Sequence, residues 1–245
     1  TQPEHIVRAF NKKVMNVMPD SKLILTTSNS EASIIRDFLK SKNIEKPIKV
    51  VRLGTDIKLS KDIIRPSANI DFENFYLMVG TIEPRKNHLL VLKAFHKIWQ
   101  ENEDAPALVI AGRLGWKYES ALEVIQKSSF KDKKLFYLES PSDSELEYLY
   151  QHTKALIMAS FREGFGLPVI EAMVRKVPVI ASNIEVFKEI AGDYPIYFDP
   201  YSIYSLIEAI KSSQNAVKKE PDIKLNTWED TAKDIALAIK EHFGL

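Results

Sequence analysis

Two glutamates frame a glycine-broken stretch, REGFGLPVIEAMV, at residues 162–174. Glu163 stands directly before Gly164-Phe165-Gly166, and Glu171 follows Leu167-Pro168-Val169-Ile170. The preceding run ALIMAS (155–160) reads as a strand, and Pro168 suits the first turn of a helix. Gly164 and Gly166 let the connecting loop adopt conformations closed to other residues and approach a ligand closely. The amides of Gly166 and Leu167 then point out of a helix N-terminus, a ready site for a diphosphate. Glu171, about one turn into that helix, can accept hydrogen bonds from two adjacent hydroxyls, as a ribose offers. Glu163, on the other side of the phosphate position, can hold hydroxyls of the group attached to the phosphate. Either glutamate alone reads as a surface charge or as a helix-dipole partner contributing about 0.3–1 kcal/mol. The strand, the Gly-Phe-Gly turn, the proline and the spacing together favour a site.

A second loop, GTIEPRKN (80–87), carries Gly80, Thr81 and the adjacent cations Arg85 and Lys86 before a helical stretch. Two cations at a strand end would neutralise a diphosphate and stabilise the charge of a departing one; the plainer reading is a solvated surface pair. GRLGW (112–116) brings Gly112 and Arg113, where glycine also serves a tight turn. In LESPSD (138–143) the backbone around Ser140 can read the edge of a base, while Ser142 and Glu145 have capping-box spacing. The five histidines have no metal-ligand spacing, so no metal site is expected. No Ser-His-Asp pattern or P-loop is present. The candidate catalytic residues are thus Glu163, Arg85 and Lys86.

These loops need elements to position them. From residue 75 onward, FYLMVG, ALVIAG, LFYL, ALIMAS, VPVIAS and PIYF each precede a helical stretch. In the first of these helices Leu89, Leu92, Phe95 and Trp99 share a face. Six strand-helix units in series predict an α/β fold, a parallel sheet with helices on both faces. Ligands bind such sheets beyond the carboxyl ends of the strands, where the loops 80–87, 112–116, 139–143 and 159–168 should gather. Earlier, KLILTTS (22–28) and IKVVRLG (48–54) read as strands around the helical EASIIRDFLKS, and residues 56–74 as a linker. At the end, Trp228, Ala232, Ile235, Ile239 and Phe243 form a helical stripe. Near the start, Ile6, Phe10 and Val14 alternate with Arg8, Lys12 and Lys13. That pattern suits a helix packed on its own protein, with peripheral membrane contact as the alternative.

The length, 245 residues, allows one or two domains with a sizeable core. Hydrophobic residues at 45% and charged ones at 27% are an ordinary soluble composition. Lys plus Arg is 34 against 33 Asp plus Glu, so no general charge argues for nucleic acid. The absence of cysteine excludes disulfides, thiolate nucleophiles and cysteine-zinc sites. No apolar run reaches the roughly 18 residues of a membrane span, and the first residues lack a signal peptide's apolar core. The expected location is cytoplasmic, with the inner membrane face as the place of any peripheral contact.

The run EGFGLPVIEAM, followed by PVIAS, resembles the E-x7-E motif of retaining glycosyltransferases with the GT-B fold, glycosyltransferase family 4, group 1. VGTIEPRKNHLLVLKAF resembles that family's phosphate-binding loop, and AGRLGW, SDSELEYLY and TWEDTA are also similar. The likeness spans about residues 22–245, most specifically 76–200. The combination of GTIEPRKN with GRLGW is similar to mannosyltransferases of bacterial surface-polysaccharide and O-antigen assembly. The resemblance implies a nucleoside diphosphate sugar as donor, GDP-mannose first and a UDP-sugar second, bound without metal or other cofactor. It implies a glycan or glycolipid hydroxyl as acceptor.

By the same resemblance, Arg85 and Lys86 bind the donor diphosphate, with Gly80, Thr81, Gly112 and Ser140 lining the donor site. The backbone at Phe165, Gly166 and Leu167 supports phosphates and donor sugar. Glu163 contacts sugar hydroxyls and Glu171 the ribose. The chain departs from the family in three places: Thr81 stands where arginine is common, Glu139 where glycine is common, and RKVPVIAS replaces a small-residue turn. The resemblance further divides the chain into the end of an acceptor-type domain with linker (1–70), a donor domain (71–215) and a C-terminal helix packing back toward the N-terminal part (216–245). The acceptor domain's beginning has no counterpart, so either further domains of a longer chain supply it or the acceptor half is supplied otherwise. Two alternatives stand beside this reading. One is a non-catalytic nucleotide-sugar-binding module, or a fragment of a larger glycosyltransferase. The other is a glycoside hydrolase using Glu163 and Glu171 as an acid and base pair.

Overall fold

A computed structural model describes residues 4–57, 59–60, 62–68, 70–214, 216, 220–222 and 226–245, with backbone alone for 4–7 and 10. The chain divides into two compact units, Thr1–Asp56 with Lys224–Leu245, and Ile57–Ile223. The first unit opens with α1 (Glu4–Val17). Its exposed Lys12 and Lys13 and half-buried Val14 are described, whereas the side chains of Ile6 and Phe10 lie outside the described residues. The strands β1 (Ile24–Thr26) and β2 (Ile48–Val50) pair in parallel, joined through α2 (Asn29–Lys40). Ser28 begins α2 by accepting the Glu31 N–H at 3.1 Å, which satisfies an otherwise free first-turn amide.

The segment 57–74 contains no helix or strand among the described residues. It is not a free tether, because Ile70 and Phe72 are buried. Phe72 meets the rings of Phe75 and Tyr148 edge-on, with centroids 5.9 and 5.0 Å away. Hydrophobic burial thus fastens this stretch along the second unit.

The second unit begins its sheet with β3 (Phe75–Val79), followed by a 3-10 turn at Pro84–Lys86 and α3 (His88–Glu101). Then come β4 (Ala107–Ala111), α4 (Glu119–Lys127), β5 (Leu135–Leu138), α5 (Asp143–His152) and β6 (Leu156–Met158). The unit ends with α6 (Leu167–Val174), β7 (Val179–Ser182), α7 (Glu185–Ala191), β8 (Ile196–Phe198) and α8 (Ile203–Ser213). The six strands are parallel, in the order β5-β4-β3-β6-β7-β8. Strands covered on both faces must be apolar throughout rather than alternating. Accordingly, every residue of β4 and of β6 is buried. Tyr76 and Met78 of β3 pack into one cluster with Leu92, Phe95 and Trp99 of α3 and Leu206 of α8. Phe75 and Leu77, equally buried, alternate to the other face.

The strand order reverses between β3 and β6, which are direct neighbours. Loops leaving two neighbouring strands at such a reversal diverge to opposite faces and open a crevice between them. The loops at this point are 80–87 and 159–166.

The last element, α9 (Trp228–Phe243), belongs to the first unit. Thr227 and Asp230 close a capping box at its start. The Trp228 N–H donates to Asp56 Oδ1 at 2.7 Å and the Thr231 hydroxyl to the Arg52 carbonyl at 2.8 Å. The residues of the expected stripe all lie on α9. Thr231 and Ala238 are its buried residues, while Trp228, Ile235, Ile239 and Phe243 are between 36% and 55% exposed. The helix start is fastened by polar bonds to residues 52–56.

Candidate functional site

The site starts from two glycines. Gly80, after β3, has φ +138°, and Gly112, after β4, has φ +152°. A side chain at Gly112 would come within 2.2 Å of the Gly80 carbonyl oxygen. Only glycine lets these two turns lie against each other. The backbone then continues the contact, with Ile82 N–H donating to Arg113 O at 2.9 Å and Gly115 N–H to Ile82 O at 3.0 Å.

The turn that follows delivers Arg85 and Lys86. Lys86 is 7% exposed, and a buried ammonium requires a counter-charge. Its Nζ meets Glu163 Oε1 at 2.7 Å and lies over Gly80. Arg85, half-exposed, donates through Nη1 to Glu163 Oε2 and, at 2.9 Å, to the Arg162 carbonyl. Its Nη2 donates to Glu83 Oε1 at 2.5 Å. The Phe161 N–H donates to the Arg85 carbonyl at 2.9 Å, so the two loops of the crevice are joined by backbone as well.

Glu163 is the hub. The Ser160 hydroxyl donates to its Oε1 at 2.7 Å, and the Ser182 hydroxyl holds the Ser160 carbonyl at 2.6 Å. Burial pushes the Glu163 carboxyl up, but Lys86, Arg85 and Ser160 outweigh it and hold the group below the usual carboxylate range. Burial pulls Arg85 down, and the charges of Glu163 and Glu83 more than restore it. The sequence reading named Glu163 and the two cations without pairing them; the fold puts Glu163 in contact with both. A carboxylate held ionised in this way does not supply the raised acid of a glycoside hydrolase pair.

Beyond Glu163 the loop enters α6 through Gly166, with φ +98°. An added Cβ there would meet Phe187 Cε1 at 2.7 Å. Gly164 has no such constraint: its φ is not left-handed and no atom lies within 4 Å of an added Cβ. Of the two, only Gly166 is required to be glycine by its backbone and protein neighbours. Phe165 is buried and Leu167 exposed. Gly166 caps α6 without any side chain, and Pro168 sits in its first turn.

Glu171, on α6, is braced from behind. The Tyr150 hydroxyl donates to its Oε2 at 2.8 Å, and Arg175 Nη1 donates to its backbone carbonyl at 2.9 Å. Arg175 is in turn held by Glu147 Oε2, at 3.0 Å through Nε and 2.7 Å through Nη2. Its guanidinium lies 4.7 Å from the centre of the Tyr150 ring. Burial, then the Glu171 charge, push the Tyr150 hydroxyl well above its ordinary range, so it remains a donor. Glu171 lines a cavity of about 370 Å³ together with Ile57, Leu59, Ser60, Asp143, Leu146, Glu147 and Arg175.

The side chains of Thr81, Arg113 and Ser140 make no hydrogen bond to the Glu163 cluster among the described residues. Ser140 has φ +56° at the exposed end of β5, followed by the expected Ser142–Glu145 capping box. No group of three or more His, Asp or Glu able to hold a metal occurs among the described residues. Sequence reasoning missed Ser160, Tyr150, Arg175 and Glu147. The available signals were the helical spacing of Arg175 four residues after Glu171 and of Tyr150 three after Glu147.

His88 was also missed. It begins α3, is 2% exposed, and neither ring nitrogen has a partner in full hydrogen-bonding geometry among the described residues. Burial and the Lys86 charge lower it to about 4, and the Glu83 backbone pulls back only in part. The unfolded chain therefore binds this proton at higher pH than the folded one. Stability should fall as pH drops from about 6.5 toward 4, and His88→Phe should flatten that part of the profile. Melting temperatures between pH 7 and 4 check it; an unchanged slope in the variant refutes it.

Residues 60–233 match the family model described as glycosyl transferases group 1. The chain is 41% identical over 163 residues to the serotype-specific mannosyltransferase WbdA of Escherichia coli, covering 64% of this chain and 20% of that protein. It is 28% identical over 253 residues to the O-antigen chain mannosyltransferase B of Escherichia coli, covering 99% of this chain and 62% of that one. The chain thus spans about a fifth and about three fifths of these relatives. The crystal structure of a glycosyltransferase from Rickettsia africae ESF-5 shares the fold, with a TM-score of 0.70 and 18% identity over 99% of this chain and 68% of that one.

Proposed function

The chain belongs to the group 1 glycosyl transferases, and on that premise we propose that it moves mannose from GDP-mannose to a hydroxyl of a glycan or lipid-linked glycan. A UDP-sugar is the second choice of donor, and surface-polysaccharide assembly is the proposed setting. Its fold is of the GT-B type. The single observation that best supports this reading is the buried Glu163 carboxylate shared by Lys86 and Arg85 at the β3–β6 crevice. An entering diphosphate takes over the two cations, with the Gly166 and Leu167 amides at the start of α6 as further donors. Glu163 is then released toward the hydroxyls of the donor sugar. Glu171 takes the ribose, and the apolar wall of Ile57, Leu59 and Leu146 suits the face of a base.

In the reaction the bond from the anomeric carbon to the diphosphate breaks, and the acceptor oxygen bonds to that carbon on the same face. The acceptor proton passes to the departing phosphate oxygen. Lys86 and Arg85 act by stabilising the charge that develops there. Two fixed cations at the phosphate position favour donor binding without a divalent metal. The matched relatives are longer than this chain, which supports holding of the acceptor by further sequence.

Calorimetry with GDP, UDP, ADP and dTDP in EDTA tests the donor assignment. The expected result is binding of GDP ahead of the others, with no requirement for metal. Binding of none, or binding only when magnesium is restored, would overturn it.

A further inference from the structure

Among the described residues, the Glu171 carboxylate is held from one side alone. Its Oε2 accepts from Tyr150, while Oε1 takes no hydrogen bond among the described residues. It faces the cavity shared with Leu59, Ser60, Asp143 and Leu146. The holding side is built at some cost. Tyr150 is fully buried and Glu147 2% exposed, and Arg175 joins them by two hydrogen bonds to a single carboxylate oxygen and by lying over the Tyr150 ring. Gln151 Nε2 satisfies the other Glu147 oxygen at 3.0 Å, so the buried carboxylate is paired on both sides. Such a set stays in one arrangement because any rearrangement would strand a buried charge.

We infer that Tyr150, Arg175 and Glu147 are positioning residues that set the Glu171 carboxylate for a vicinal diol, and so make this site select ribonucleotide over 2′-deoxyribonucleotide donors. The inference rests on the reading that Glu171 takes the ribose. Its physical content is orientational. One carboxylate oxygen pinned by a phenol leaves the other, and one remaining lone pair, in a single direction. Two adjacent hydroxyls can then donate together, and a donor lacking the 2′-hydroxyl leaves one of those bonds unmade. Without the phenol the carboxylate turns freely and the second hydroxyl is worth less. The brace itself touches no substrate atom.

The test compares GDP with 2′-deoxy-GDP by calorimetry on the whole chain, in its unaltered form and as Tyr150→Phe and Glu171→Gln. The unaltered chain should prefer GDP by about tenfold, the size of one hydrogen bond to a charged group. Tyr150→Phe should cut that preference to about twofold while leaving 2′-deoxy-GDP affinity within about twofold of the original. A merely structural tyrosine would weaken both nucleotides alike, and that outcome overturns the inference. Should Tyr150→Phe fail to melt cooperatively, Arg175→Lys, which keeps the charge, gives the same ratio. Retained preference in Tyr150→Phe with loss in Glu171→Gln would sink the brace and spare the ribose reading. No preference in the unaltered chain, undiminished preference in Glu171→Gln, or no GDP binding at all would overturn the ribose reading and the brace with it.

Discussion

Glu163→Gln is expected to slow sugar transfer by about 10²–10³-fold while leaving GDP bound as tightly as before or more tightly. The two effects separate because Glu163 faces both ways. In the free protein it occupies Lys86 and Arg85, the cations proposed for the diphosphate. Removing its charge ends that competition and removes an anion from the neighbourhood of an anionic ligand, so ground-state binding does not suffer. During transfer the same carboxylate is needed at the sugar, and an amide cannot supply the charge. Stability falls as well, since losing one member of a buried ion pair costs about 3–5 kcal/mol. That figure is an upper bound, because Arg85 keeps Glu83 and the glutamine can still accept from Ser160. Calorimetry with GDP beside initial rates of transfer measures both sides. A parallel loss of affinity and turnover would show that Glu163 serves binding alone.

Lys86→Met should weaken GDP binding by roughly 10–100-fold, as expected for one charge-assisted contact of about 1.5–3 kcal/mol, and should move the acid limit of stability to higher pH. The sign follows from Glu163. Its folded-state titration lies below the usual carboxylate range, chiefly because Lys86 and then Arg85 outweigh burial. Its contribution to stability is therefore complete above the unfolded value, about 4.3, and is lost as pH falls through the folded value. Methionine removes the largest of the opposing influences and leaves burial, which favours the protonated acid. The folded value rises, and the loss begins nearer neutrality. Melting curves from pH 3.5 to 7, on the unaltered chain and the variant, measure the displacement. His88 titrates in part of this window, so the Lys86→Met comparison is best repeated on the His88→Phe background. An acid limb that does not move would mean that Lys86 is not the principal partner of Glu163.

The parts of this protein that depend on near neighbours were legible in its sequence. Runs such as ALVIA and LIM are apolar at every position because both faces of their strands are covered, and they become fully buried parallel strands. Ser142 with Glu145 caps α5, and Pro168 opens α6, because capping is decided within one turn. The crevice could be anticipated for the same reason, since strand-to-helix loops in such a sheet share one edge. The tertiary structure decided which charges meet. Arg85 and Glu163 are 78 positions apart and touch only because β3 and β6 are neighbours where the strand order reverses. The sequence reading therefore named both residues but did not pair them. Tyr150 and Glu147 had no individual role in the sequence reading, and gain one where α5 comes against Glu171 and Arg175. Gly164 and Gly166 are the same residue type two positions apart, yet only the ring of Phe187 makes one of them indispensable. Local propensity acts within a turn or a strand, whereas charge pairing and steric exclusion act between whichever elements the fold brings within a few ångströms.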